Sequence, residues 1–319
     1  MHSYAAPDSR VGEFFRLKND DKIIIRNSGN NSKIQVRING QGPLKPKESS
    51  EIKPGDTLKL GNQVYLFDKD NNYKLRFIRK DEKDTINKLF PLGVKNIDFC
   101  QSIGDCYLLS TLKSLSKNPR GAELLMKMIE PMSDGGYKVT FPGLPKESFE
   151  VTRQDIQNMG NAEDSVKSNH LGVKIIEHAY FKLRKNVDES LGPEDPRISK
   201  YKTKLVLLNF GDIGEALYLL TGMKTLFFPT EKLDDKMIKE LFKTLKANNM
   251  PTVAMTGKNI SPQGNMTKSM HAYCISEINP EKEEVTIINP DDSSKESKIS
   301  YKTFLENFTY ISCVNLKSQ

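Results

Sequence analysis

A cysteine at the predicted start of a helix is the residue of this chain best placed for nucleophilic chemistry. Cys106 lies in the stretch QSIGDCYLL, where Gly104 allows a sharp turn and Asp105 is a suitable N-cap. Leucines follow at helical spacing, at positions Leu108, Leu109, Leu112 and Leu115. The unpaired amides of a helix N-terminus favour a thiolate. Because the same pattern is typical of an inert buried cysteine, the nucleophile hypothesis requires partner residues.

A histidine and an asparagine far along the chain supply those partners. The stretch HAYCISEINPEKEEVTIINPDD, residues 271–292, predicts a β-hairpin with its turn near Pro280. Folding about that turn places His271 opposite Asn289, with both side chains on the same face. In a Cys-His-Asn set the imidazole takes the thiol proton and later protonates the leaving amine. The amide oxygen holds the other ring nitrogen and thereby orients the ring.

These motifs together resemble the catalytic core of a known enzyme family. QSIGDCYLL, HAY and IINP are similar to the core of the calpain family of papain-like cysteine proteases. Further similar stretches follow in family order, namely KIIEHAYFKL at 174–183, GDIGEALYLLTG at 211–222 and TFLENFTYI at 303–311. The resemblance covers about residues 88 to 315 and implies an α+β, papain-like fold of two lobes. The substrate cleft would lie between the lobes.

The resemblance also implies where each lobe begins and what its residues do. A helical lobe at 83–222 would carry Cys106 as the nucleophile. A β-rich lobe at 223–319 would carry His271 as general base and acid and Asn289 as the residue that orients it. The chain is therefore expected to be a cysteine endopeptidase that hydrolyses protein or peptide substrates through an acyl-enzyme.

The oxyanion hole departs from the family pattern. The resemblance assigns it to the backbone N–H of Cys106 and to a glutamine side chain, here Gln101. The family glutamine lies six positions before the nucleophile, whereas Gln101 lies five before it and Cys100 occupies the sixth. We expect a loop one residue shorter from which Gln101 still reaches the site. An oxyanion hole of different construction is the alternative.

Missing tryptophans leave two other functions open. The family usually has tryptophan after the nucleophile and after the Asn-Pro pair, but this chain has Tyr107 and Asp291 there and contains no tryptophan. The chain could be a protease-like binding protein with weak or no activity. Alternatively, a Cys-His-Asp set with Asp291 or Asp292 as its third member would resemble an acyltransferase or transglutaminase.

Residues 1–82 predict a separate, small all-β domain ahead of this core. Short alternating strands are separated there by Asn, Gly and Pro turns, and a charged segment at 80–96 predicts a linker helix. The order RING, then KPGDTLKLGNQVYLF, resembles the second half of a forkhead-associated sandwich. The Arg and Ser with which that domain reads phosphothreonine have no clear counterpart. We expect a docking or regulatory domain that contacts a protein partner.

The composition of the chain argues against two other kinds of function. The chain has 319 residues, 37% hydrophobic content and a net charge of +7, and its mean hydropathy is -0.55. Its lysines are dispersed and no apolar run is long enough for a bilayer, so we expect neither nucleic-acid binding nor a membrane span. The start MHSYAAPDSRVGEFF predicts no secretory signal.

The four cysteines indicate whether a metal site is expected and in which cellular compartment the protein works. They lack CxxC spacing, so we expect no metal site and no cofactor, with calcium implied by the family resemblance alone. A working thiolate among unpaired cysteines predicts a reducing compartment, either a cytoplasm or a host cytosol into which the protein is delivered.

Overall fold

The computed structural model describes residues 80–159, 163–190, 208, 211–264 and 266–317, together with Lys45, Glu48 and the strands within residues 1–79. Contacts divide the chain into two units, Met1–Ile86 and Asn87–Gln319. This division falls a few residues after the boundary predicted at residue 82. The turns predicted between the N-terminal strands lie largely outside the described residues.

The described strands of the first unit form antiparallel sheets. One sheet has the order β1-β2-β3-β5, with strands at Ser3–Tyr4, Gly12–Arg16, Ile23–Asn27 and Ser49–Ile52. The other has the order β4-β6-β7-β8, with strands at Val36–Ile38, Thr57–Leu60, Gln63–Lys69 and Leu75–Arg79. Helix α1 follows at Lys80–Leu89. The resemblance to a forkhead-associated sandwich stays a prediction.

The first part of the second unit is mainly helical. Its helices are α2 at Cys106–Lys117, α3 at Pro119–Lys127, α4 at Arg153–Met159, α5 at Leu171–Ser190 and α6 at Ile213–Thr221, with a 3-10 helix at Val94–Asn96. A small antiparallel sheet of order β11-β10-β9 lies among them, with β9 at Ile129–Pro131, β10 at Tyr137–Val139 and β11 at Phe149–Val151. None of the described helices has the length and apolarity needed to cross a bilayer.

The second part is built on a six-stranded antiparallel sheet of order β12-β17-β13-β14-β15-β16. These strands are β12 at Leu226–Pro229, β13 at Thr252–Thr256, β14 at Ala272–Asn279, β15 at Glu284–Ile288, β16 at Glu296–Ser300 and β17 at Phe308–Cys313. Helices α7 at Asp235–Ala247 and α8 at Tyr301–Asn307 pack with it, and short 3-10 helices lie at Thr230–Lys232 and Pro290–Asp292. The protein therefore has an α+β fold.

Helix α2 connects the helical part to this sheet. Every residue from its start to Ser116 is buried, and the helix contacts β13, β14, α3 and α6. Its leucines enter the helical core, whereas two serines face the sheet. The Ser110 Oγ donates to the Ala272 carbonyl at 3.0 Å, and the Ser114 Oγ bonds Thr252 on β13. Buried hydrogen bonds thus fix α2 against the two central strands.

We expect the substitution Ser114→Ala to lower the free energy of unfolding by about 2 kcal/mol. The buried Ser114 hydroxyl accepts from the Thr252 N–H at 2.7 Å and donates to its carbonyl at 3.1 Å, so alanine removes both bonds. Ser116→Ala is the matched control, because this equally buried hydroxyl only donates to the Lys113 carbonyl within the same helix. Urea unfolding of both variants measures the difference. Equal losses would show that the link to the sheet has no special role.

Candidate active site

Cys106 is the first residue of α2, as the sequence predicts, but its helix is capped differently. The Asp105 carbonyl accepts from the amides of Leu108 and Leu109 at 2.9 and 3.1 Å. The Asp105 side chain makes no capping hydrogen bond, so that part of the prediction was wrong. The physical reason is its backbone, at φ −98° and ψ 25°, which differs from the extended conformation that aims an N-cap side chain at the first turn.

At the start of α2 the Tyr107 amide favours a Cys106 thiolate, as the sequence predicts, but burial of the thiol acts in the opposite direction. Burial raises the pKa of the Cys106 thiol to about 11, and the carboxylates of Asp105 and Asp291 act in the same direction. Two backbone amides oppose this rise, those of Ala272, which lies 3.5 Å from Sγ, and Tyr107. Because desolvation outweighs the field of the amides, the thiol is protonated at neutral pH.

His271 and Asn289 are joined directly. The His271 Nε2 lies 2.9 Å from the Asn289 Oδ1, and both residues are buried. The same oxygen accepts from the Asp291 N–H at 3.0 Å. A backbone amide can only donate, so it identifies this atom as the amide oxygen, and Nε2 must then carry a proton. Burial lowers the pKa of His271, which favours the neutral ring, and in a neutral ring with its proton on Nε2 the Nδ1 is an acceptor.

The hairpin that brings this pair together differs in register from the prediction. The ladder pairs Cys274 with Ile288, so continuing it would place Asn289 beside Tyr273 and not directly opposite His271. The register shifts once farther along the hairpin, where β14 contains an irregularity. The ring and the amide therefore meet diagonally. Diagonal neighbours two positions apart share a face, which explains how the predicted contact survives.

A threonine that the sequence analysis missed holds the backbone of His271. The Thr256 Oγ1 on β13 accepts from the His271 N–H at 3.0 Å and donates to the carbonyl of Lys268 or His271. The preceding residue, Met270, has a positive φ of 50°. Tyr273 packs edge-on to the imidazole at 5.1 Å between ring centroids. No motif signalled Thr256, because its role depends on pairing between β13 and β14.

Gln101 and Cys100 are placed in different surroundings. Gln101 lines the cavity that contains Cys106, and its backbone N–H donates to the Pro290 carbonyl at 2.9 Å. Its side-chain amide donates to the Ile103 carbonyl, which holds the side chain in the loop before α2. Cys100 is exposed, bridges Lys167 through its backbone and lines another cavity. Gln101 is thus the residue of the two that shares a cavity with the thiol.

One cavity of about 660 Å³ joins the two parts of the site. Its lining includes Gln101, Cys106, His271, Asp291, Met255 and Tyr310. The thiol reaches it from the start of α2, and the imidazole reaches it from the start of β14. The cavity is large enough to hold several side chains of a bound molecule.

The two aspartates considered as a third member occupy other contacts. The Asp291 Oδ1 lies 4.0 Å from the His271 Nε2, beyond hydrogen-bond distance, and its Oδ2 pairs with Lys268 at 2.7 Å. The Asp292 carboxylate pairs with Lys295 at 2.7 Å and lines the cavity next to Cys100. The hydrogen-bond partner of the ring is Asn289. Within the described residues, no group of three His, Cys, Asp or Glu side chains could hold a metal ion.

Comparison of the chain with protein-family models and with curated proteins finds no match.

Proposed function

We propose that this protein is a cysteine endopeptidase, with Cys106 as the nucleophile, His271 as general base and acid, and Asn289 as the orienting residue. The observation that carries the proposal is the His271–Asn289 hydrogen bond beside the cavity that also contains the Cys106 thiol. A papain-like arrangement of lobes at 83–222 and 223–319 would assemble the site in this way.

The proposed reaction begins with a neutral thiol and a neutral ring. The His271 Nδ1 accepts the Cys106 proton as Sγ attacks the peptide carbonyl, while Nε2 continues to donate to Asn289. The backbone N–H of Cys106 and the side-chain amide of Gln101 would stabilise the oxyanion. The imidazolium then protonates the leaving amine. A water molecule, deprotonated by the same ring, hydrolyses the resulting thioester and restores the thiol.

The alternatives rest on weaker observations. A Cys-His-Asp acyltransferase needs an aspartate as the ring's hydrogen-bond partner, but Asp291 lies 4.0 Å away, whereas Asn289 lies at 2.9 Å. A binding protein without activity would have no need of a neutral histidine oriented by an amide beside a buried thiol. The N-terminal unit would serve as the docking or regulatory part of the protease, through contact with a protein partner.

The products formed from an unfolded, alkylated protein in water enriched in oxygen-18 test the reaction type. Hydrolysis yields shortened chains, and at each cleavage the N-terminal fragment carries heavy oxygen at its new carboxyl terminus. Transfer yields crosslinked or amine-modified chains of full length, and deamidation changes only side-chain amides. Mass spectrometry separates these outcomes. Intact substrate after prolonged incubation under reducing conditions, together with unchanged side chains, would contradict an enzyme of either class.

A further inference from the structure

The mechanism described above assigns no role to a charged pair that lies beside the His271 ring. The Lys268 Nζ lies 2.7 Å from the Asp291 Oδ2, and both residues line the cavity that contains Cys106. The other oxygen, Oδ1, lies 4.0 Å from the His271 Nε2. One oxygen of the carboxylate thus contacts the lysine, while the other faces the imidazole.

The fold fixes the backbone of both residues beside the ring. Asp291 lies in the 3-10 helix that follows Asn289, and its N–H donates to the amide oxygen that orients the ring. The Lys268 N–H donates to the Tyr273 hydroxyl at 3.1 Å, and the Lys268 carbonyl lies 2.9 Å from the Thr256 hydroxyl. Backbone contacts to the residues that surround the imidazole therefore position the pair.

The charges act on the ring in opposite directions. Burial lowers the pKa of His271, the Asn289 hydrogen bond and the Asp291 charge raise it, and the Lys268 charge lowers it. The titratable or charged groups that face the ring or its cavity come from every neighbouring element: Cys106 from α2, Lys268 from the segment before β14, Tyr273 from β14, Asp291 from the 3-10 helix and Tyr310 from β17. Among these, Asp291 carries the negative charge that favours a protonated ring.

We propose that Asp291 is a positioning residue that supports the imidazolium of His271, and that the charge of Lys268 opposes and limits this effect. This role rests on the proposed function, in which the imidazolium forms during attack on the substrate. Asn289 orients the ring through a hydrogen bond, and Asp291 stabilises its charge through space. The two residues therefore contribute in different ways.

The test replaces each of the two charged side chains by an uncharged one of similar size in the full-length protein. Asp291→Asn keeps the N–H that bonds Asn289 and removes the charge, so we expect kcat/KM to fall about fivefold at pH 7, mainly in kcat. The pH profile should move toward acid, because the ring and the thiol both lose a neighbouring negative charge. Lys268→Met removes the opposing charge and should move the profile toward base.

Asp292→Asn is the matched control, because it removes a carboxylate from the same 3-10 helix. The Asp292 carboxylate pairs with Lys295 and lines another cavity. Its pH profile should coincide with that of the unmodified protein. If the role of Asp291 were merely structural, the pH profiles of the Asp291→Asn and Lys268→Met variants would not move in opposite directions. Coincident profiles for both variants and the control would overturn the proposal.

A second measurement does not depend on activity. The chain has four histidines, so NMR can follow the titration of each ring, with the His271 signal assigned by its loss in His271→Gln. We expect the His271 titration to move toward acid in Asp291→Asn and toward base in Lys268→Met. These shifts without any peptide cleavage would contradict the proposed function and leave the charge effect standing. Cleavage without the shifts would overturn the role of Asp291 alone.

Discussion

Replacement of His271 by alanine is expected to lower kcat/KM by about 10⁴-fold at pH 7. The reason is the protonation state of the nucleophile. Burial raises the pKa of Cys106 to about 11, so only a fraction on the order of 10⁻⁴ of the thiol ionises at pH 7 without a base beside it. In the proposed mechanism the ring supplies that base, and its loss leaves the reaction to the small thiolate fraction.

The same variant predicts a distinct alkylation profile. The rate of reaction with iodoacetamide should rise only with a single ionisation at alkaline pH in His271→Ala, because burial raises the pKa of Cys106, whereas the unmodified protein should also react at neutral pH. His178→Ala is a suitable control, because this histidine lies on α5, near Asp155, and outside the lining of the Cys106 cavity. Equal alkylation rates at pH 7 for His271→Ala and the unmodified protein would show that the ring does not activate the thiol.

The sequence predicts the contact between His271 and Asn289 and the burial of α2 because alternation and helical periodicity decide both. Alternation along β14 and β15 fixes which side chains share a face, so the contact between His271 and Asn289 survives an error in the register. Likewise, the leucine spacing after Cys106 predicts that α2 is buried. These patterns record which face of an element is covered. They carry no information about the distance between atoms.

Properties that depend on solvent exclusion could not be predicted in the same way. The field at a helix start favours a Cys106 thiolate, but its magnitude must be compared with desolvation, which depends on how the sheet covers the thiol. The missing side-chain cap at Asp105 could not be predicted either, because the dihedral angles of Asp105 follow from the loop that enters α2.

Helix α7, in contrast, could have been predicted from the sequence. Its buried residues, Ile238, Phe242 and Leu245, follow Asp234 at helical spacing, so its signal was present in a region predicted only as β-rich.

The substitution Cys106→Ala is expected to lower turnover by about 10⁵-fold or more while the fold is retained. Alanine removes one sulfur atom beside the cavity, and the leucines that anchor α2 remain in the core. The Ala272 N–H loses only a long contact to sulfur, a weak acceptor 3.5 Å away. We therefore expect the midpoint of urea unfolding to change little, which separates a chemical defect from a folding defect.

Cys100→Ala is the control that makes this experiment decisive. Cys100 is an exposed thiol that lines another cavity, so its removal should leave peptide cleavage unchanged. Active-site labelling by a thiol-directed peptide electrophile should persist in Cys100→Ala and disappear in Cys106→Ala. If the unmodified protein and both variants retain an unfolded substrate equally and none cleaves it, the binding-protein alternative is supported. If cleavage is lost only in Cys106→Ala, the buried thiol is the nucleophile.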